Sequence, residues 1–338
     1  MRYLLRFVSL LLLLCTKVAW AQPQPAKLFA SLPDNCPTPD AFAIAPDGSL
    51  TLSCPNFADK TLQGELFSIS QTGDVTHLAT VPSLQADNKA NPMGIAYDED
   101  GALYVADARG IKHGRVLKLT FVNQALVKTE VIASGFNPNG LRYHQGAIYV
   151  TQLKMPRVKS KNMTSGIYRF PATARNLKMT NTLQDKELIF TVETQNPKIQ
   201  VGVDGLDFDS LGRLYTTNMG DGDIYQLTLS NDGRVTEQKV TATVPPAARI
   251  DGMVFDQYDN LYLAGFAQNQ IFKLDNKRKL TKIADYPDND GSNGQIDQPA
   301  DLMVYDDKLI ISNFDLMKGP GLRNSKHSKP YTLSYIQL

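Results

Sequence analysis

Apolar and polar residues alternate along most of this chain, and the alternation breaks at turns rich in Asp, Gly and Asn. In DGLDFDSLGRLYTTN, from Asp204 to Asn218, a short alternating run meets a tight turn, and a second alternating run follows. That pattern predicts a β-hairpin. The same design recurs as DAFAIAPDGSLTLSC from Asp40, MGIAYDEDGALYVAD from Met93, NGLRYHQGAIYVTQ from Asn139, DGMVFDQYDNLYLAG from Asp251 and ADLMVYDDKLIISN from Ala300. Start-to-start spacings are 53, 46, 65, 47 and 49 residues.

A third alternating segment follows each hairpin (GELFSIS, GRVLKLT, SGIYRFP, GDIYQLT, NQIFKLD and PYTLSYI), and a fourth follows after the next turn, as in VTHLATV and LTKIADY. Four antiparallel strands repeated six times predict an all-β fold, a six-bladed β-propeller, built from one domain over residues 22–338. The chain ends soon after PYTLSYI, so the sixth blade lacks its outer strand. KLFASLP, from Lys27, precedes the first hairpin and is expected to supply it, closing the ring and covering the sheet edge. No segment sustains apolar residues at helical spacing over several turns.

The opening MRYLLRFVSLLLLLCTKVAWAQ carries Arg2 and Arg6, a short apolar run and Ala19-Trp20-Ala21, the form of an export signal cut after residue 21. Export to the periplasm or beyond is therefore expected, with no membrane insertion, because the apolar run is too short to span a bilayer. Cys15 falls within this leader, which leaves Cys36 and Cys54 as an expected disulfide in an oxidising compartment. A net charge of +1 gives no electrostatic footprint for nucleic acid. Oligomeric state is not legible from the sequence.

In a propeller the first strand of each blade lines the central channel, so the repeat aligns Asp40, Met93, Asn139, Asp204, Asp251 and Ala300 around one mouth. Three acids and an amide would then share one small space with no Lys or Arg among the six positions, and like charges so close call for a cation. Oxygen donors without His or Cys suit a hard ion, so Asp40, Asn139, Asp204 and Asp251 are the candidate ligands of calcium, with another divalent metal as the alternative. Taken singly, each acid is also explained by an Asx-type turn.

The second strands return to the same mouth, ending at Cys54, Asp107, Gln152, Asn218, Gly265 and Asn313. Asp107, Gln152, Asn218 and Asn313, together with Asn91 beside Met93, are candidate substrate contacts; the alternative is that they are solvated loop starts. The four histidines show no metal-ligand spacing, and no G-x-S-x-G elbow or P-loop occurs. Asn162-Met163-Thr164 matches a glycosylation acceptor.

With these residues the chain resembles the gluconolactonase, regucalcin and senescence-marker-protein family, and more distantly the paraoxonases. Asn139-Gly140-Leu141 and Asp204-Gly205-Leu206 are similar to the family elements that carry a calcium-ligating amide and a calcium-ligating catalytic carboxylate. Asp40 stands where the family has a Glu, Met93 near where it has an Asn, and Asp251 is an additional acid. The resemblance implies hydrolysis of a small-molecule lactone or ester, with the metal polarising the carbonyl and Asp204 or Asp251 activating water. It leaves substrate choice to the loops at the mouth, above all the one holding Lys154, Arg157, Lys159 and Lys161. Two other readings are an exported propeller that binds a partner or sugar without catalysis, and a quinone-dependent sugar dehydrogenase, which needs a basic, His-containing pocket.

Overall fold

The computed structural model describes residues 25–83 and 89–338, so the leader read at 1–21 lies outside the described residues. Six sheets follow one another around the axis. In four of them the strands run in sequence order from the axis outward, apart from one strand that the third lends to a neighbour, whereas the second and sixth take their outermost strand from elsewhere in the chain. The first blade runs Phe42–Ile44, Leu50–Cys54, Glu65–Ile69 and Val75–Thr80. The fourth runs Val203–Phe208, Leu214–Asn218, Asp223–Leu229 and Val235–Thr243, and the fifth Ile250–Phe255, Leu261–Gly265, Gln270–Leu274 and Leu280–Asp285. This is the six-bladed all-β propeller predicted from the repeat.

The sixth blade closes as expected. Lys27–Ser31 pairs antiparallel with Thr332–Gln337, so the first described strand of the chain becomes the outer strand of the last blade. The second blade carries a feature that the pattern did not reveal. Leu177–Lys178, from the long connection after the third blade's inner strands, adds a two-residue parallel strand beside Ala133 and Ser134. Among the described residues, no helix is long and apolar enough to cross a membrane.

The apolar face of every blade is buried against the next blade. Six clusters of buried side chains occupy the six blade-to-blade interfaces. Tyr262, Ala264 and Ile271 of the fifth blade, for example, meet Leu302, Leu309 and Ile311 of the sixth. Across the closing interface, Phe42, Leu50, Leu52 and Phe67 pack against Tyr305, Ile310 and Leu333. Each fully buried Leu, Ile or Phe of this kind contributes about 1.5–3 kcal/mol. Stability is thus spread around the ring, and the clasp is needed to bury its last interface.

Cys36 and Cys54 are joined by a disulfide with a Cα–Cα distance of 5.4 Å, and both are fully buried. The bridge ties the segment leading to Asp40 onto the end of the second strand of the first blade. On the loop-entropy account, closing its 18-residue separation is worth about 3 kcal/mol. Replacing both cysteines by Ser is therefore expected to lower the thermal midpoint, and reduction of the wild type should reproduce the loss. Unchanged midpoints in both experiments would contradict a structural role.

Candidate metal and active site on the propeller axis

A repeated defect in the inner hairpins builds the axial site. In the fourth blade Val203 pairs with Asn218 and Leu206 with Thr216, so three steps along the first strand oppose two along the second. The same shift occurs between Ile250 and Met253, Pro92 and Ile95, and Pro299 and Leu302. Such a bulge bends the strand and re-aims a side chain. Its first unpaired residue is Asp204, Asp251, Met93 or Ala300, the ring position predicted from the repeat.

The glycine after the acid has a different cause from a turn. A Cβ on Gly205 would lie 2.3 Å from the Asp251 carbonyl oxygen, and one on Gly252 would lie 2.6 Å from that of Ala300. The innermost strands therefore touch backbone to backbone around the axis, and only glycine leaves room. Hydroxyls of the second strands stitch the same region. Ser312 Oγ donates to the Asp40 carbonyl at 2.6 Å, and Ser53 Oγ donates to that of Met93 at 2.8 Å.

Asp40, Asn139, Asp204 and Asp251 all line the one axial cavity. Asp40 and Asp204 are buried, and Asp251 is half-buried. Met93 does not line the cavity and instead packs against the core between the second and third blades. Burial pushes the Asp204 carboxyl up to about 7, with the charge of Asp301 adding to the shift and a hydrogen bond from Asp251 opposing it. Asp251 is raised well above the ordinary carboxylate range by burial and by the charges of Asp204, Asp40 and Asp301. Asp40 is raised for the same reasons, burial first and then Asp301 and Asp204. Asp204 and Asp251 thus interact directly and titrate as a pair, both raised by burial.

Two charged residues that the repeat alignment missed complete this site. Arg142 lies three residues past Asn139, deeper in the channel. It donates from Nη1 to the Leu141 carbonyl and from Nη2 to that of Met253, both at 3.1 Å. Its guanidinium also stands 3.6 Å from Asp207 Oδ1 and 3.6 Å from Asp301 Oδ1. Asp301 occupies the position after Ala300, where four other blades have glycine, and its Oδ2 accepts the Phe42 N–H at 3.1 Å. One arginine thus joins the third, fourth, fifth and sixth blades beneath the ring, and its charge is already shared by two acids.

Three ring carboxylates remain without a partner cation of their own. Their donors, with Asn139, are all oxygens, which suits a hard divalent ion and not a thiophilic one. Among the described residues no three His, Cys, Asp or Glu side chains are set out as a metal site. The chemistry of the donor set fits a metal.

The five candidate substrate contacts lie at the same end of the propeller but outside the axial cavity. Asp107 is fully buried, paired with Arg115 at 2.9 Å, and accepts the Asn91 N–H at 2.7 Å. Asn218 accepts from Thr194 Oγ1 at 3.1 Å and donates to Asp221 Oδ2 at 3.1 Å. Asn313 accepts the Asp297 N–H at 3.0 Å and donates to Thr332 Oγ1 at 3.0 Å. These three hold loops at the mouth. Gln152 and Asn91 each donate to a carbonyl, of Lys154 and Ala108, but Gln152 Oε1 and Asn91 Oδ1 are buried without a hydrogen-bond partner. None of the four histidines lines the cavity, and His144 stacks on Phe208 with ring centroids 4.0 Å apart.

Residues 62–293 match the family model for the SMP-30/gluconolactonase/LRE-like region. The chain belongs to that family. No curated protein sequence matches it. The family's fold is shared with a gluconolactonase from Xanthomonas campestris at 14% identity, covering 94% of this chain and 97% of that one with a TM-score of 0.58. A calcium-binding regucalcin from Agrobacterium tumefaciens aligns at 13% identity over 93% of each chain with a TM-score of 0.58. The PQQ-bound aldose sugar dehydrogenase of Streptomyces coelicolor aligns at 14% identity, over 93% of this chain and 97% of that one, with a TM-score of 0.57. At these identities the structures share architecture.

Arg142→Met removes the only cation that faces Asp207 and Asp301 among the described residues while keeping the length of the side chain. Leaving two buried acids unpaired is expected to cost about 3 kcal/mol in urea unfolding at pH 7. A loss below 0.5 kcal/mol on the same scale, the size of an ordinary surface change, would contradict the role given to Arg142.

Proposed function

We propose that this chain is an exported, divalent-metal-dependent hydrolase that opens a lactone or related ester, and that calcium is the metal its donors suit. The observation that carries the reading is the buried, oxygen-only ring of Asp40, Asn139, Asp204 and Asp251 on the axis of a family member. The gluconolactonase and the calcium-binding regucalcin among its structural neighbours agree with that reading. Export is supported by the leader sequence and by the Cys36–Cys54 disulfide, which persists in oxidising compartments.

Asp40, Asn139, Asp204 and Asp251 would hold the metal, which supplies polarisation of a carbonyl oxygen and stabilisation of the charge that develops on it. The chain's own residues do the rest. In this reading Asp204 or Asp251, side by side on the axis, takes a proton from an attacking water and returns it to the leaving alkoxide. Arg142 keeps Asp207 and Asp301 charge-balanced below, which prevents them from competing for the cation. Gln152 Oε1 and Asn91 Oδ1 are acceptors at the mouth that a substrate hydroxyl can satisfy. Lys154, Arg157, Lys159 and Lys161 are exposed on the third-blade loop and favour an anionic substrate.

A non-catalytic binding role has one observation in its favour, since Met93 leaves the second blade without an oxygen ligand. The two readings separate in one assay. Chelated protein is expected to hydrolyse aldonolactones at the buffer rate and to recover on adding calcium, and Asp204→Asn should lose about 100-fold or more of the recovered rate. A folded, calcium-loaded protein that opens no lactone or ester faster than buffer would leave the binding role standing and overturn the hydrolase.

A further inference from the structure

A second pair of carboxylates meets at the mouth end of the sixth blade, away from the axis. Asp297 lies just before the first strand of that blade, Pro299–Tyr305, and Asp315 just after the second, Lys308–Asn313. Asp297 is fully buried. Its Oδ1 faces Asn269 Nδ2 at 3.5 Å, while its Oδ2 is buried with no hydrogen-bond partner. Asp315 is also buried; its Oδ1 accepts from Asn324 Nδ2 at 2.9 Å and its Oδ2 accepts the Ser328 N–H at 2.7 Å.

The two carboxyl groups are close enough to share a hydrogen bond, and Asp288 adds a further negative charge nearby. No Lys or Arg pairs with either among the described residues. The one basic side chain in reach is His327, whose Nδ1 is 3.7 Å from Asp315 Oδ2 and which bonds to the Asp315 carbonyl. Burial, with Asp315 second, pushes the Asp297 carboxyl up to about 8. An unpartnered oxygen facing another carboxylate in a buried setting requires either a proton or a cation between them.

The framework around the pair is rigid. Gln298 donates its N–H to Asn269 Oδ1 at 2.8 Å, and Gln298 Oε1 accepts the N–H groups of Leu316 and Met317 at 2.8 and 2.6 Å. Both acids are therefore held in place before any ligand arrives.

We propose that Asp297 and Asp315 form a second cation site, separate from the axial ring, that takes a hard divalent ion such as calcium with water in the remaining coordination positions. Two protein carboxylates with a largely hydrated ion place the affinity in the range of extracellular calcium modules, about 10⁻⁴–10⁻³ M. The site has a structural consequence. Asp315 anchors the Asn324–Ser328 segment, so an ion here fastens that segment to the sixth blade. This site stands independently of the hydrolase reading.

Terbium(III) titration of the full chain, read by tyrosine-sensitised emission, tests the proposal. The wild type is expected to bind two ions that calcium displaces. Asp251→Asn, which weakens the axial ring, should keep one ion, whereas Asp297→Asn and Asp315→Asn should each lose that ion and keep the axial one. If Asp251→Asn binds none, or if both sixth-blade variants keep the wild-type count, the pair holds only a proton and the proposal is overturned. The Asp251→Asn result does not depend on the sixth-blade variants folding. Failure of the axial reading would remove the other ion and leave this one in place.

Discussion

Repulsion between buried carboxylates on the propeller axis is the constraint around which this molecule is arranged. Asp40, Asp204, Asp251, Asp207 and Asp301 surround a narrow channel, with Arg142 as the cation among its lining residues. Five acids, three of them buried and two half-buried, cannot all ionise around one guanidinium. Arg142 settles the lower pair, and the upper three are left to share protons or to gather around an added ion. Everything that brings these groups together serves backbone packing first: the bulges turn the acids inward, the glycines let the strands touch, and the serine hydroxyls satisfy the carbonyls exposed by the bulges.

The repeat was legible because period-two alternation and turn chemistry are local, and six copies average out the irregularities of each. Ring positions could be read for the same reason: the bulge recurs at the same register in blade after blade, so aligning Asp204 with Asp251 and Ala300 aligned their places on the axis. Asp301 and Arg142 escaped because they sit one and three residues past the ring position. Asp301 looked like the outward half of an alternating strand, and Arg142 like an ordinary polar residue of a hairpin. The signal that could have found them was comparison of the whole inner strand, since glycine stands in four blades where Asp301 stands in the sixth.

The mouth was harder to read. Asp107, Asn218 and Asn313 end their strands as expected, but several of their partners, the Asn91 and Asp297 N–H groups, Thr194 and Asp221, lie outside the strands, where no strand pattern locates them. The two-residue strand Leu177–Lys178 is too short to carry any alternation and was hidden in the 65-residue spacing. The pairing of Asp297 with Asp315 depends on two loops meeting across the inner hairpin of the sixth blade. Side-chain chemistry at loop ends is set by tertiary contacts, whereas blade number and axial register follow from local pattern.

One propeller architecture is shared by proteins as different as a gluconolactonase and a quinone-bound dehydrogenase, so the fold alone does not name the chemistry. In this chain the upper axial acids, Asp40, Asp204 and Asp251, are raised in pKa by burial and by one another and have no cation of their own among the described residues. A divalent ion binding there must displace the proton shared by Asp204 and Asp251, because metal ligands have to be deprotonated. The decisive measurement is the number of protons released when calcium is added to the chelated protein between pH 6 and pH 8. Since burial pushes the Asp204 carboxyl up to about 7 and holds Asp251 and Asp40 well above the ordinary range too, release should be greatest at pH 6, decline as the pH rises, and be smaller in Asp204→Asn. Calcium binding with no proton release at any pH, or with a release that Asp204→Asn leaves unchanged, would contradict the account of the axis as a charged ring awaiting a cation.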